Sequence, residues 1–132
     1  MGKYVLGLCL VLLVGCASVR GAFRLEKFED VSSTYGKAIR WKRYDVAKHF
    51  IKSREPDRVE PKVEELNKIR VTSYEVLNRI ISEDKLRVEQ TVRIEYHYTD
   101  RPIQRSLVDT QLWEYDEIQE TWYLESGLPD FR

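Results

Sequence analysis

The spacing of apolar residues changes twice along the chain. Residues 4–14 form an unbroken run, broadly apolar with no polar face. From Leu25 the apolar positions fall into a helical rhythm. Leu25, Phe28, Ser32, Tyr35 and Ile39 recur at alternating intervals of three and four, and Val31 and Ala38 widen the stripe. That pattern predicts an amphipathic helix of about five turns. Tyr44, Ala47 and Ile51, flanked by Val46 and Phe50, predict a shorter helix after a break near Trp41–Arg43. Residues 52–61 are charged and carry Pro56 and Pro61, which makes them a connector. One or two helical turns are expected over 63–68.

From Ile69 the period becomes two. Leu86, Val88, Gln90, Val92, Ile94, Tyr96 and Tyr98 hold one phase, alternating with Arg87, Glu89, Thr91, Arg93, Glu95 and His97. Alternation of this length predicts a long strand buried on one face. Residues 69–81 predict the strand before it. The adjacent apolar pair Val76-Leu77 marks a bulge there. Residues 103–115 and 121–124 complete four strands joined by short turns, and Pro129 stops the tail from extending as strand. The expected fold class is α+β: two to three N-terminal helices packed on a curved four-stranded antiparallel meander.

Composition fits one globular domain, with 42% hydrophobic and 33% charged residues in 132. Formal net charge is zero, which removes the general basic attraction that nucleic-acid binding needs. The halves differ, however. Residues 20–62 hold 12 basic and 7 acidic side chains, whereas 63–132 hold 9 basic and 15 acidic. Opposite surfaces that meet in the folded domain account for this, as does a basic patch for anionic lipid or a partner.

The run over 4–14 follows a single lysine, Lys3, and is too short to span a bilayer, which needs about 20 residues. It has the form of a signal-peptide core. It ends in Leu13-Val14-Gly15-Cys16, which resembles the lipobox of bacterial lipoproteins. The resemblance implies cleavage after Gly15 and a diacylglyceryl group on the Cys16 thiolate, a nucleophile where serine would be poor. The expected organisation is a signal peptide over 1–15, a lipidated tether over 16–22 and a domain over 23–132. In the lipoprotein sorting pattern an aspartate after the cysteine retains a protein in the inner membrane. Ala17 stands there instead, which places the expected anchor in the outer membrane, facing the periplasm. Cys9 would leave with the signal, so the mature body would have no second cysteine and no disulfide.

The order helix, helix, connector, long meander resembles the NTF2-like fold, the cone-shaped α+β domain of nuclear transport factors, ketosteroid isomerases and many bacterial envelope proteins. The segment from Ile69 to Val76 resembles the first long strand of such envelope lipoproteins. Asp109-Thr110-Gln111-Leu112-Trp113-Glu114-Tyr115 with Trp122-Tyr123-Leu124 resembles their last hairpin. The resemblance covers residues 23–131 and implies a pocket between helices and sheet. Enzymatic members place an Asp, His or Tyr acid–base set in that pocket.

Candidate chemistry in this chain is sparse. His97 belongs to the polar phase of its strand, and His49 lies near the end of the second helix. Neither has ligand spacing, so no metal and no cofactor is expected. Asp109 shares a phase with Leu107, Gln111, Trp113 and Tyr115. Facing inward it would be the one candidate base; facing outward it would sit beside Arg105 or pair with a helix arginine. The leading expectation is a non-catalytic domain for protein–protein interaction or self-assembly, using the outer sheet face at Arg87, Arg93, Glu95 and His97. The alternative is a cup for a small apolar or lipid ligand, lined by Gln90, Val92, Ile94, Tyr96, Asp109, Gln111 and Trp113. The third is an enzyme that uses Asp109.

Overall fold

The first proline in the chain is Pro56, and nothing before it forbids helix. The computed structural model describes residues 2–52, 55 and 57–131, with side chains from Ser18 onward. Helix α1 runs without interruption over Gly2–Arg40. Residues 17–22, read from sequence as part of a tether, are therefore helical, since neither Arg20 nor the single Gly21 suffices to break the run. Cys16, the lipidation candidate, lies outside the residues described with their side chains. Among the described residues, no helix is long and apolar enough to cross a membrane.

Helix α1 ends where the sequence pattern breaks. Lys42 takes a left-handed conformation (φ 59°), its N–H donates to the Ile39 carbonyl, and the Arg43 N–H donates to the Ala38 carbonyl at 2.7 Å. This pair of bonds is a Schellman cap, with lysine where glycine is usual. Lys37 and Arg40 in the last turn suit the negative end of the helix dipole. Two single-turn helices follow, α2 (Tyr44–Ala47) and α3 (Val63–Leu66), with a 3-10 turn over Lys48–Phe50 between them.

The sheet is an antiparallel meander in the order β1-β2-β3-β4. The strands are β1 (Ile69–Ile81), β2 (Arg87–Tyr98), β3 (Arg101–Asp116) and β4 (Thr121–Leu124). Register shifts fall between Val71 and Ser73, between Val76 and Asn78, and between Tyr96 and Tyr98. The second is the bulge that the Val76-Leu77 pair predicts. Extra residues of this kind bend a long strand and increase its twist. Strand β3 starts two residues earlier than the sequence pattern implies and includes Pro102 near its beginning. The chain after the 3-10 turn adds to the other edge: Ile51 bridges Leu124 in parallel, and the Lys52 N–H donates to the Leu124 carbonyl.

Helix α1 covers one face of the sheet. On that inner face Val88, Val92, Ile94 and Tyr96 of β2 are buried, as the two-residue period requires. Phe28 and Tyr35 from α1 meet the Trp113 ring edge-on, and Phe28 also meets Trp122. Aromatic pairs in this geometry add about 1 kcal/mol each beyond their burial. The Trp122 indole N–H donates to the Arg24 carbonyl at 2.7 Å, which fixes α1 against β4.

Candidate functional site

Two glutamines sit where the inner face would otherwise be apolar. Gln90 comes from β2 and Gln111 from β3, paired directly across the ladder. They are 1% and 0% exposed. An amide buried this deeply must find partners, or it costs a few kcal/mol. Gln111 uses all four of its hydrogen-bonding positions. Its Nε2 donates to the Tyr74 hydroxyl at 2.8 Å and to Asp109 Oδ2 at 3.2 Å. Its Oε1 accepts from Gln90 Nε2 at 3.0 Å and from Trp113 Nε1 at 3.1 Å. The chain of bonds continues outward. Arg79 Nε donates to Gln90 Oε1 at 2.6 Å, and Arg79 Nη1 pairs with Glu29 of α1.

Asp109 lies on the inner phase of β3, opposite Val92, and is half-buried. It accepts its bond from Gln111 and makes no ion pair among the described residues. Burial raises its pKa to about 6, partly opposed by the Gln111 bond. Burial also raises Tyr35 and Tyr74 well above the ordinary phenol range, with the Asp109 carboxylate adding to both, and pushes Tyr44 up to about 12. At neutral pH these phenols stay protonated and uncharged. The hydroxyls of Tyr35 and Tyr44 are buried without a hydrogen-bond partner.

The Arg79–Gln90 end of the polar chain opens onto the surface. A groove of about 520 Å³ runs between α1 and β1, and Tyr74, Arg79 and Gln90 form its sheet-side wall. Its helix-side wall includes Ser32, Gly36, Lys37 and Arg40. Gly36 is required by close approach: a β-carbon there would stand 2.8 Å from Tyr74 Cε1. Of the residues predicted to line a cup, Gln90 reaches this groove. Val92, Ile94, Tyr96 and Trp113 are packed in the core, and Gln111 lies behind Tyr74.

The chain matches no family model, no curated protein and no solved structure. Its geometry therefore carries the functional reading.

The residues predicted for an interface lie together on the outer sheet face. Arg93 pairs with Glu75 at 3.6 Å and Arg87 with Glu114 at 3.7 Å, while Glu95 and His97 are half-buried. His97 Nδ1 lies 3.0 Å from the Tyr98 carbonyl oxygen. His49 is exposed in the middle of the 3-10 turn. Among the described residues no group of three His, Cys, Asp or Glu side chains converges on a metal-sized site.

Sequence reasoning missed two features. It did not find the groove, although Ser32 and Gly36 stand four apart on α1, a small-residue notch in an otherwise bulky helix face. It also missed the apolar residues of the outer face, described next.

Proposed function

We propose that the chain is a lipid-anchored envelope protein whose domain is of NTF2-like type and pairs with a second copy through the outer face of its sheet. The carrying observation is Val108 and Leu112, 60% and 42% exposed on the outer phase of β3. A sheet that faces water on one side normally alternates to polar residues there. Here Ile80, Glu89 and Leu112 lie in one row across the strands, and Glu75, Arg93 and Val108 in another. Apolar side chains are thus set among charges of both signs. A surface of that kind suits itself: a two-fold interface sets each patch against its own copy, so apolar meets apolar and cation meets anion.

The non-catalytic character of the reading rests on the surroundings of Asp109. Its bonded partner, Gln111, is an amide and cannot relay a proton at neutral pH. The outer-membrane location rests on the Leu13–Cys16 resemblance and on Ala17. A photoreactive p-benzoylphenylalanine in place of Val108, in the full chain expressed in a bacterial envelope, tests the pairing. The expected product contains two copies of the chain, and the same probe at Ile118, in the turn between β3 and β4, yields none. Irradiation that leaves every chain single would contradict the reading.

A further inference from the structure

The geometry points to the groove between α1 and β1 as a binding site for a small organic acid in its anionic form. This inference is independent of pairing through the outer face, which lies on the opposite side of the sheet.

Four observations meet in the groove. First, its volume of about 520 Å³ falls within the usual range for small-ligand sites. Second, its wall is divided by chemistry. The Tyr74 ring, Val76 and the bare backbone at Gly36 form an apolar surface, and Lys37 and Arg40 stand three apart at one end of it. Third, the charge is unbalanced. The guanidinium of Arg79 is neutralised by Glu29, but Lys37 forms no ion pair among the described residues, and Arg40 meets only uncharged partners, the Val71 carbonyl and the face of the Trp41 ring. Two positive charges are left without an anion. Fourth, Ser32 lines the groove at 3% exposure, and its Oγ is buried with no hydrogen-bond partner. A buried hydroxyl left unsatisfied costs free energy that a ligand atom recovers.

An organic carboxylate answers all four. Its head lies toward Lys37 and Arg40, where charge-assisted bonds are strongest. Its body lies over Tyr74 and Val76. A polar atom on that body meets Ser32 Oγ. The chain from Arg79 through Gln90 and Gln111 to Tyr74 holds the sheet-side wall rigid, so the site is formed before the ligand arrives.

The test is an NMR titration of the full chain, in detergent, with three probes: benzoate, its neutral counterpart benzyl alcohol, and inorganic phosphate. Benzoate is expected to shift the amides of Ser32, Gly36 and Tyr74 saturably, and both other probes to bind more weakly. Lys37→Glu alters an exposed side chain without ion-pair partners among the described residues. It gives up a favourable place at the α1 dipole, a small effect at an exposed site, and the amide spectrum of the variant shows that the fold is kept. It is expected to weaken benzoate about fivefold or more. Ser32→Ala tests the hydroxyl with a second ligand, salicylate, and is expected to weaken it by a similar factor. The proposal is overturned if benzoate gives no saturable shifts, or if Lys37→Glu binds it as the unaltered chain does. Phosphate binding as tightly as benzoate would also overturn it, since a bare charge pair needs no apolar wall.

Discussion

Gln90 and Gln111 face each other across neighbouring strands, and the Nε2 of the first donates to the Oε1 of the second at 3.0 Å inside an otherwise aromatic and aliphatic core. Gln111→Leu would leave Gln90 Nε2 and Trp113 Nε1 buried without acceptors. Each such group costs about 1–3 kcal/mol, so a loss of about 2–6 kcal/mol is expected in urea denaturation. The double variant with Gln90→Leu as well removes one of the stranded donors. Its loss is expected to be smaller than the sum of the two single losses, by about 1 kcal/mol or more. Strictly additive losses would mean that the two amides act separately.

Gly36 gives a prediction whose sign depends on its neighbour. Alanine there gains up to about 1 kcal/mol of helix propensity but sets a β-carbon 2.8 Å from the Tyr74 ring, an overpacking that costs about 1–3 kcal/mol. Gly36→Ala is therefore expected to destabilise the unaltered chain. In a Tyr74→Ala background, where the ring is gone, the same change is expected to stabilise. Thermal or urea midpoints of the four proteins decide it.

Asp109 ties stability to pH. Its pKa in the folded chain is about 6, above the ordinary 3.8. Between those values the native state holds a proton that the unfolded chain has released. Stability from this group is therefore greatest below about pH 4 and falls as pH rises through about 6, by about 3 kcal/mol in all. Asparagine cannot ionise. The stability advantage of Asp109→Asn over the unaltered chain is expected to grow from pH 4.5 to pH 7. An advantage that stays flat over this range would contradict the burial of a carboxyl that resists ionisation.

The fold was legible where one physical signal dominated. Residues 86–98 alternate over a dozen positions, so β2 and its buried phase follow from period and side-chain type, and in β1 the apolar pair Val76-Leu77 marks the bulge. The first helix was legible from 25 onward, but its continuation back through 17–22 was not, because small residues are compatible with both helix and tether. Asp109 was ambiguous because its phase mixes Leu107 and Trp113 with Gln111. Only the ladder, which sets Val92 opposite Asp109, decides that this phase faces inward. The groove was beyond sequence reading for another reason. Its wall joins residues 50 apart, such as Glu29 and Arg79, and no local pattern announces such a pairing.

The anchoring proposal makes its own prediction. Mass analysis of the chain recovered from a bacterial envelope is expected to show a product that begins at Cys16 and carries acyl chains. Cys16→Ser is expected to keep its first fifteen residues and to lose the lipid. An unmodified Cys16 thiol in the recovered protein would contradict the lipobox reading.

Sedimentation equilibrium of the full chain in density-matched detergent tests the pairing most directly. Two chains per particle are expected, falling to one when Val108→Glu and Leu112→Glu place like charges opposite each other at the two-fold contact. A single chain per particle without the substitutions, or a pair that survives them, would contradict assembly through the outer sheet face.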